Sequence, residues 1–112
     1  MTFAQRFGSP PTLWVSGTTA ATGPTTLIAS PGAGKRITIT AFQLQNESST
    51  ATTIILMADG AEFWRVLGQN QGDGCGYPIA DLRMPTNTAL RIKLSGGNSC
   101  GHNIGYQVEN TG

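Results

Sequence analysis

The chain has 112 residues, which is the usual size of one domain with a single core. Charged residues make up 12% of it and the formal net charge is +1, without a run of basic residues, so a nucleic-acid-binding surface is not expected. The longest apolar run, 54–58, is too short to cross a bilayer, and residues 1–7 lack the apolar core of a secretory signal, so we expect no membrane partner and synthesis in the cytoplasm.

Residues 1–11 are predicted to form an extended N-terminal arm. The segment carries Phe3, Arg6 and Phe7 and ends in Pro10-Pro11, which blocks both helix and ladder hydrogen bonds. Phenylalanine side chains are costly to leave in water, so we expect these three residues to bind a neighbouring molecule. The alternative is a frayed terminus.

Residues 12–112 are predicted to form a single β-sandwich domain. Short runs rich in Ile, Leu, Val, Thr and aromatic residues alternate with clusters of Gly, Ser, Asn and Pro. The predicted strands are 13–15, 27–29, 35–45, 51–57, 61–67, 77–84, 89–95 and a last one through 104–108. About eight strands of this kind, without helical periodicity, predict an all-β fold, an antiparallel β-sandwich of jelly-roll type.

Three local patterns refine this prediction. The apolar parity changes within 35–45, which indicates a β-bulge near 40–42 or a strand buried on both faces. Asp59-Gly60 separates two strand-like runs and predicts a tight hairpin turn. Phe63 and Trp64 are adjacent and fall on opposite faces, so one ring must point outward or into an interface.

No catalytic, cofactor or metal site is expected. The stretch Gly32-Ala33-Gly34-Lys35 lacks the first glycine and the following Ser or Thr of a phosphate-binding loop, and a strand follows it rather than a helix. The sequence has a single histidine, His102, and no Gly-x-Ser-x-Gly nucleophile elbow. The six acidic residues are isolated along the chain. Cys75, Cys100 and His102 would need a fourth zinc ligand, for which Asp73 is the nearest residue.

A disulfide between Cys75 and Cys100 is a further hypothesis. If consecutive strands alternate in direction, the two loops predicted to hold these residues lie at the same end of the sandwich. A bridge also requires Cα atoms within about 7 Å. The alternative is two unpaired thiols.

The stretches GAGKRITITAFQLQNESSTATTIILMADG and LRMPTNTALRIKLSGGNSCGHNIGYQVE together resemble small β-sandwich virion proteins of tailed bacteriophages. The resemblance covers residues 32–109, most of the chain. It implies a jelly-roll-like homotrimer that decorates or cements the outer capsid, or that sits in a fibre or tail. The implied partner is the major capsid protein or another virion protein, the implied location is the virion, and the arm would reach across capsid subunits.

A carbohydrate- or receptor-binding module is the alternative function. Sandwiches can bind sugars through exposed aromatic rings beside Asn, Asp and Gln. Trp14, Trp64 and Tyr77 could form such a glycan patch, or an interface, near the polar residues Gln69, Asn70 and Asp73. For each ring, core packing is the other interpretation.

Overall fold

The structure, a computed structural model, describes residues 13–69, 74–76 and 81–111, and for 74–76 the main chain alone. All regular structure within these ranges is β-strand, and no helix there is long and apolar enough to cross a membrane. The described strands in chain order are β1 (Leu13–Thr19), β2 (Thr25–Ile28), β3 (Lys35–Asn46), β4 (Thr52–Ala58), β5 (Ala61–Gly68), β6 (Gly74–Gly76), β7 (Leu82–Arg83), β8 (Leu90–Leu94) and β9 (Cys100–Asn110).

The strands form two antiparallel sheets. The first runs in the order β1-β9-β3-β6, and β7 pairs with β3 as well. Because β9 lies along the full length of β3 on one side, β6 and β7 share the other side and together occupy one strand position. The second sheet runs β2-β8-β4-β5. Eight strand positions in these two orders are those of a jelly roll, so the predicted all-β sandwich is confirmed.

The core lies between the two sheets and is built from alternate residues of their central strands. In β8 the side chains of Leu90, Ile92 and Leu94 are buried, whereas Arg91 and Lys93 between them are half-exposed. This period of two is the pattern of a strand with one buried face. The other buried apolar residues are Ile28, Ile37, Ile39, Phe42, Leu44, Ile54, Ile55, Leu56, Met57, Met84, Ala89, Cys100 and Ile104.

The β-bulge predicted in the third strand is confirmed. Ile39 pairs with Tyr106 and Ala41 with Gly105, which leaves Thr40 as the extra residue. Apolar side chains therefore stay on the core side of β3 on both sides of the bulge. They stand at odd-numbered positions before it and at even-numbered positions after it. The Thr40 hydroxyl donates a hydrogen bond to the Gly105 carbonyl at 3.2 Å, so this buried polar group is satisfied.

A second bulge separates the two adjacent aromatic rings of β5. Leu56 pairs with Trp64 and Met57 with Glu62, so Phe63 is the extra residue. The Trp64 ring packs edge-on against Phe42, with ring centroids 5.0 Å apart, whereas Phe63 is exposed. The expectation that one of these rings points outward is confirmed. The hairpin turn at Asp59-Gly60 is confirmed too, with Asp59 at φ 51° and Ala58 paired with Ala61.

Several predicted strand limits were wrong. The first strand continues to Thr19 rather than ending at Val15, because β9 supplies pairing partners for four more residues. The stretch 68–76, which lies between the predicted strands 61–67 and 77–84, contains β6, a short glycine-rich strand that β3 holds in register. Such pairing is set by tertiary contacts rather than by the side chains of the segment. Of the predicted strand 77–84, Leu82–Arg83 forms β7, and 77–80 lie outside the described residues.

Candidate functional site

The outer face of the first sheet carries a shallow polar depression of about 350 Å³, which we call the polar trough. Strand register builds it from three distant parts of the sequence. Ser16, Asn103 and Gln43 form one cross-strand row. The next row consists of Thr18, Gly101 and Gln45. The residues lining the trough are Ser16, Gly17, Thr18, Gln43, Gln45, Glu47, Gly101, His102 and Asn103.

Glycine makes room for an acidic side chain at one end of the trough. A Cβ atom added to Gly101 would lie 3.3 Å from Cδ of Glu47 and 3.4 Å from its Oε1. The carboxylate therefore lies across a position that has no side chain of its own. The main chain fixes this residue as well, because the N–H of Glu47 donates to the Ser99 carbonyl at 3.0 Å.

A hydrogen bond orients the Asn103 amide, which lies in the row of Ser16 and Gln43. The Ser16 hydroxyl donates to Oδ1 of Asn103. The amide oxygen is thereby engaged, and the NH₂ group is turned away from Ser16. The described lining therefore offers hydroxyl, amide and carboxylate groups, and it includes no lysine or arginine.

His102 also lines the trough, but its side chain belongs to the core side of the sheet. It pairs with Leu44 on one side and Gly17 on the other, and it is 9% exposed. Its Cε1 atom is 3.4 Å from where a Cβ of Gly17 would lie. Its Nδ1 atom is buried and has no hydrogen-bond partner among the described residues. Burial lowers the pKa of His102 below its ordinary value, because the charged form is poorly solvated there.

The lowered pKa of His102 predicts that the fold loses stability in mild acid. Below about pH 6.5 the unfolded chain takes up a proton that the folded chain resists, so the free energy of unfolding decreases by at most about 1.4 kcal/mol per pH unit. Above that pH this contribution is constant. Urea denaturation at pH 7.5, 6.5 and 5.5 measures the effect, and His102→Gln should flatten the dependence. An unchanged slope in the variant would assign the loss to other groups.

The structure does not support the Cys75–Cys100 disulfide. Both residues lie in strands rather than loops, at the same end of β3, where Cys75 pairs with Leu44 and Cys100 with Asn46. However, β3 runs between them, and two inter-strand spacings amount to about 9.6 Å, beyond the reach of a bridge. Cys100 is a buried, free thiol. Burial, and to a smaller degree the nearby Glu47 carboxylate, raises the pKa of Cys100, so the unreactive protonated form is favoured.

The structure separates two of the three rings of the predicted aromatic patch. Trp14 lies in β1, at one edge of the first sheet, and is 54% exposed. Trp64 lies in β5, in the other sheet, and packs against the core. The third ring, Tyr77, lies outside the described residues, as do Asn70 and Asp73. Of the two interpretations of each ring, exposure applies to Trp14 and core packing applies to Trp64.

The described sheet edges differ in how they are protected against pairing with another chain. Edge strands usually carry charges, bulges or prolines, or are very short. The β5 edge has the Phe63 bulge and the ion pair between Arg65 and Glu62, at 2.6 Å. The β2 edge has four residues and a bulge. The edge formed by β6 and β7 is interrupted, with three and two residues.

The β1 edge has none of these protective features. Its seven residues, LWVSGTT, include no charge and no proline, and their register with β9 is continuous. Leu13 and Trp14 are 45% and 54% exposed. Within the described chain β1 pairs on one side, with β9. The arm residues Phe3, Arg6 and Phe7, which precede this strand, lie outside the described residues.

No protein-family model matches the sequence, and no curated protein matches it. Among solved structures, the chain is similar to a Bacillus endospore appendage protein, described as belonging to a novel family of disulfide-linked pili. The TM-score is 0.52 at 11% identity, and the match covers 89% of this chain and 88% of that one. At this identity the likeness establishes the fold alone.

Two further solved structures are similar at lower scores. The EclA C-terminal domain, a sugar-binding protein, has a TM-score of 0.46 at 14% identity and covers 87% of this chain and 77% of its own. A de novo designed double-stranded β-helix has a TM-score of 0.38 at 16% identity and covers 86% and 100%.

Proposed function

We propose that this protein is a structural subunit that assembles with copies of itself by strand addition at the β1 edge. The observation that carries the proposal is the contrast between edges: β1 is long, uncharged and unbulged, whereas the other described edges are protected. A chain that pairs with β1 would satisfy its outward main-chain groups and cover Leu13. Covering such side chains contributes roughly 1.5–3 kcal/mol for each fully buried one.

The segment proposed to occupy this edge is the arm, residues 1–11, of a neighbouring subunit. If β1 met another β1, the contact would be isologous and would close as a twofold dimer. An arm that meets β1 makes a heterologous contact, which builds either a closed ring such as a trimer or an open filament. The apolar side chains of Phe3 and Phe7, which cost free energy when exposed to water, would then be buried in the contact.

Two kinds of assembly fit this contact. The bacteriophage resemblance implies a homotrimer that decorates a capsid and binds the major capsid protein, which is the closed form. The fold of this chain also occurs in a subunit of pili, which is the open form. Both are non-enzymatic structural roles, and the proposal concerns the contact that they share.

A charge placed on the β1 edge tests the proposal. Wild-type protein should elute as a multiple of 11.7 kDa in size exclusion with light scattering, whereas Leu13→Lys should shift towards a monomer. The matched control is Leu67→Lys, the same change at a similarly exposed leucine of the protected β5 edge, which should leave assembly unchanged. A monomeric wild type, or equal dissociation in both variants, would overturn the proposal.

Deletion of residues 2–11 tests the occupant separately. Loss of assembly with an unchanged melting temperature would support the arm as the segment that pairs with β1. Full assembly after the deletion would exclude the arm. A twofold dimer would then assign the contact to β1 itself.

A further inference from the structure

We propose that the polar trough is a binding site for an uncharged oligosaccharide. This site is distinct from the β1 edge, since the edge presents main-chain groups sideways, whereas the trough lies on the outer face of the sheet. Three observations carry the inference: the chemistry of the lining, its fixed geometry, and an exposed aromatic ring on the same face.

The chemistry of the trough matches that of a sugar. Amide side chains offer both donors and acceptors, and hydroxyl groups can do the same. Gln43, Gln45 and Asn103 supply three amides, and Ser16 and Thr18 supply two hydroxyls. A saccharide presents a dense array of hydroxyls that likewise donate and accept. The Glu47 carboxylate adds a strong, charge-assisted acceptor for such hydroxyls.

The charge of the described lining disfavours anionic ligands. Phosphate, sulfate and carboxylate groups are recognised by arginine, lysine or clusters of main-chain N–H groups. Among the described residues that line the trough there is no arginine or lysine, and the charged one is the acidic Glu47. An anionic glycan or a nucleotide would therefore be repelled, so the ligand class is neutral.

The geometry of the trough is set before a ligand arrives. Its side chains stand on paired strands, and rigid elements hold a binding constellation more precisely than loops do. Glycine at Gly101 keeps the floor open beneath the Glu47 carboxylate. The volume of about 350 Å³ lies within the range of about 300–1,000 Å³ that is usual for ligand sites.

An aromatic ring stands beside the trough. Trp14 precedes Ser16 by two residues on the same strand, so both side chains are on the outer face of the sheet. The cross-strand neighbours of Trp14 are Gly105 and then Ala41, which are too small to cover the ring. The Trp14 side chain is 54% exposed. A sugar that extends beyond the trough could place its apolar C–H face against this ring, while its hydroxyls contact the amides.

The test is an array of immobilised neutral and anionic oligosaccharides probed with fluorescent full-length protein. Neutral saccharides should be bound, and affinity should fall about tenfold in Gln43→Ala and in Asn103→Ala, since each change removes hydrogen bonds to the ligand. Asn110→Ala removes an exposed amide outside the trough and should bind as wild type does. Binding should also persist at high salt, because no ion pair is involved.

The same array gives the outcomes that would overturn the site. These are no binding of any neutral saccharide, binding confined to anionic glycans, or affinities within twofold of wild type in both trough variants. Repeating the array with Leu13→Lys separates the trough from the assembly, since a monomer lacks multivalent enhancement but keeps the trough. Loss of all measurable affinity for soluble saccharide in that variant would assign binding to the assembled edge instead.

Discussion

Replacing Trp64 with alanine should lower the free energy of unfolding by about 2–4 kcal/mol. The ring packs against the core and makes an edge-on contact with Phe42, so the substitution removes both burial and an aromatic pair. Part of the ring stays accessible, which keeps the loss below that of a fully buried tryptophan. Urea denaturation followed by circular dichroism measures the change.

Trp14→Ala is the matched control for this experiment. The two tryptophans lie in strands of similar length at the edge of a sheet, but Trp14 is 54% exposed and stands on the outer face. In the monomeric protein, replacing Trp14 should change the free energy of unfolding by less than about 0.5 kcal/mol. Equal losses for both rings would contradict the core position of Trp64.

Asn46→Ala should destabilise the protein by about 2–4 kcal/mol, although the side chain removed is small and polar. The amide is fully buried, and its Nδ2 donates to the carbonyls of Thr50 and Gly68, each at 2.9 Å. Its Oδ1 accepts from the N–H of Ser48, also at 2.9 Å. Alanine would remove all three bonds. The bond to the Gly68 carbonyl is buried, and an unsatisfied buried group costs about 1–3 kcal/mol, whereas the Thr50 carbonyl keeps a bond from the Thr52 hydroxyl at 3.1 Å.

The same asparagine joins the turn after β3 to the end of β5, so its loss should also loosen that end of the sandwich. Hydrogen exchange should therefore accelerate at Ser48 and in its neighbours in the Asn46→Ala variant. Asn110→Ala is the control, because that side chain is exposed at the end of β9. A melting temperature for Asn46→Ala equal to that of the control would show that water replaces the lost bonds.

Local signals in the sequence were sufficient for much of the fold. The alternation through Leu90, Ile92 and Leu94 predicts the buried face of β8, and Asp59-Gly60 predicts the hairpin that joins β4 to β5. The parity change in 35–45 predicts the Thr40 bulge, because a strand in a sandwich must keep its apolar side chains on one face. Each of these features depends on residues that are close in sequence.

Features that depend on pairing between distant strands could not be predicted in the same way. The polar trough combines Ser16, Gln43 and Asn103, whose alignment requires the registers of β1, β9 and β3 together. β6 contains two glycines around Cys75, a composition that does not favour a strand. The disulfide hypothesis lacks support for the same reason. Cys75 and Cys100 do lie at the same end of the sandwich, but the sequence does not show that β3 runs between them.

The position of β9 also determines when this protein can fold. β9 lies between β1 and β3 in the first sheet, yet the ribosome makes it after all the other described strands. Until it emerges, β1 and β3 lack their shared partner and the inner face of that sheet cannot close. Folding dominated by such long-range pairing is slow, on the order of milliseconds to seconds. Newly made chains will therefore expose β1 before the sandwich forms. At that stage chaperone binding and mispairing of strands compete with correct folding.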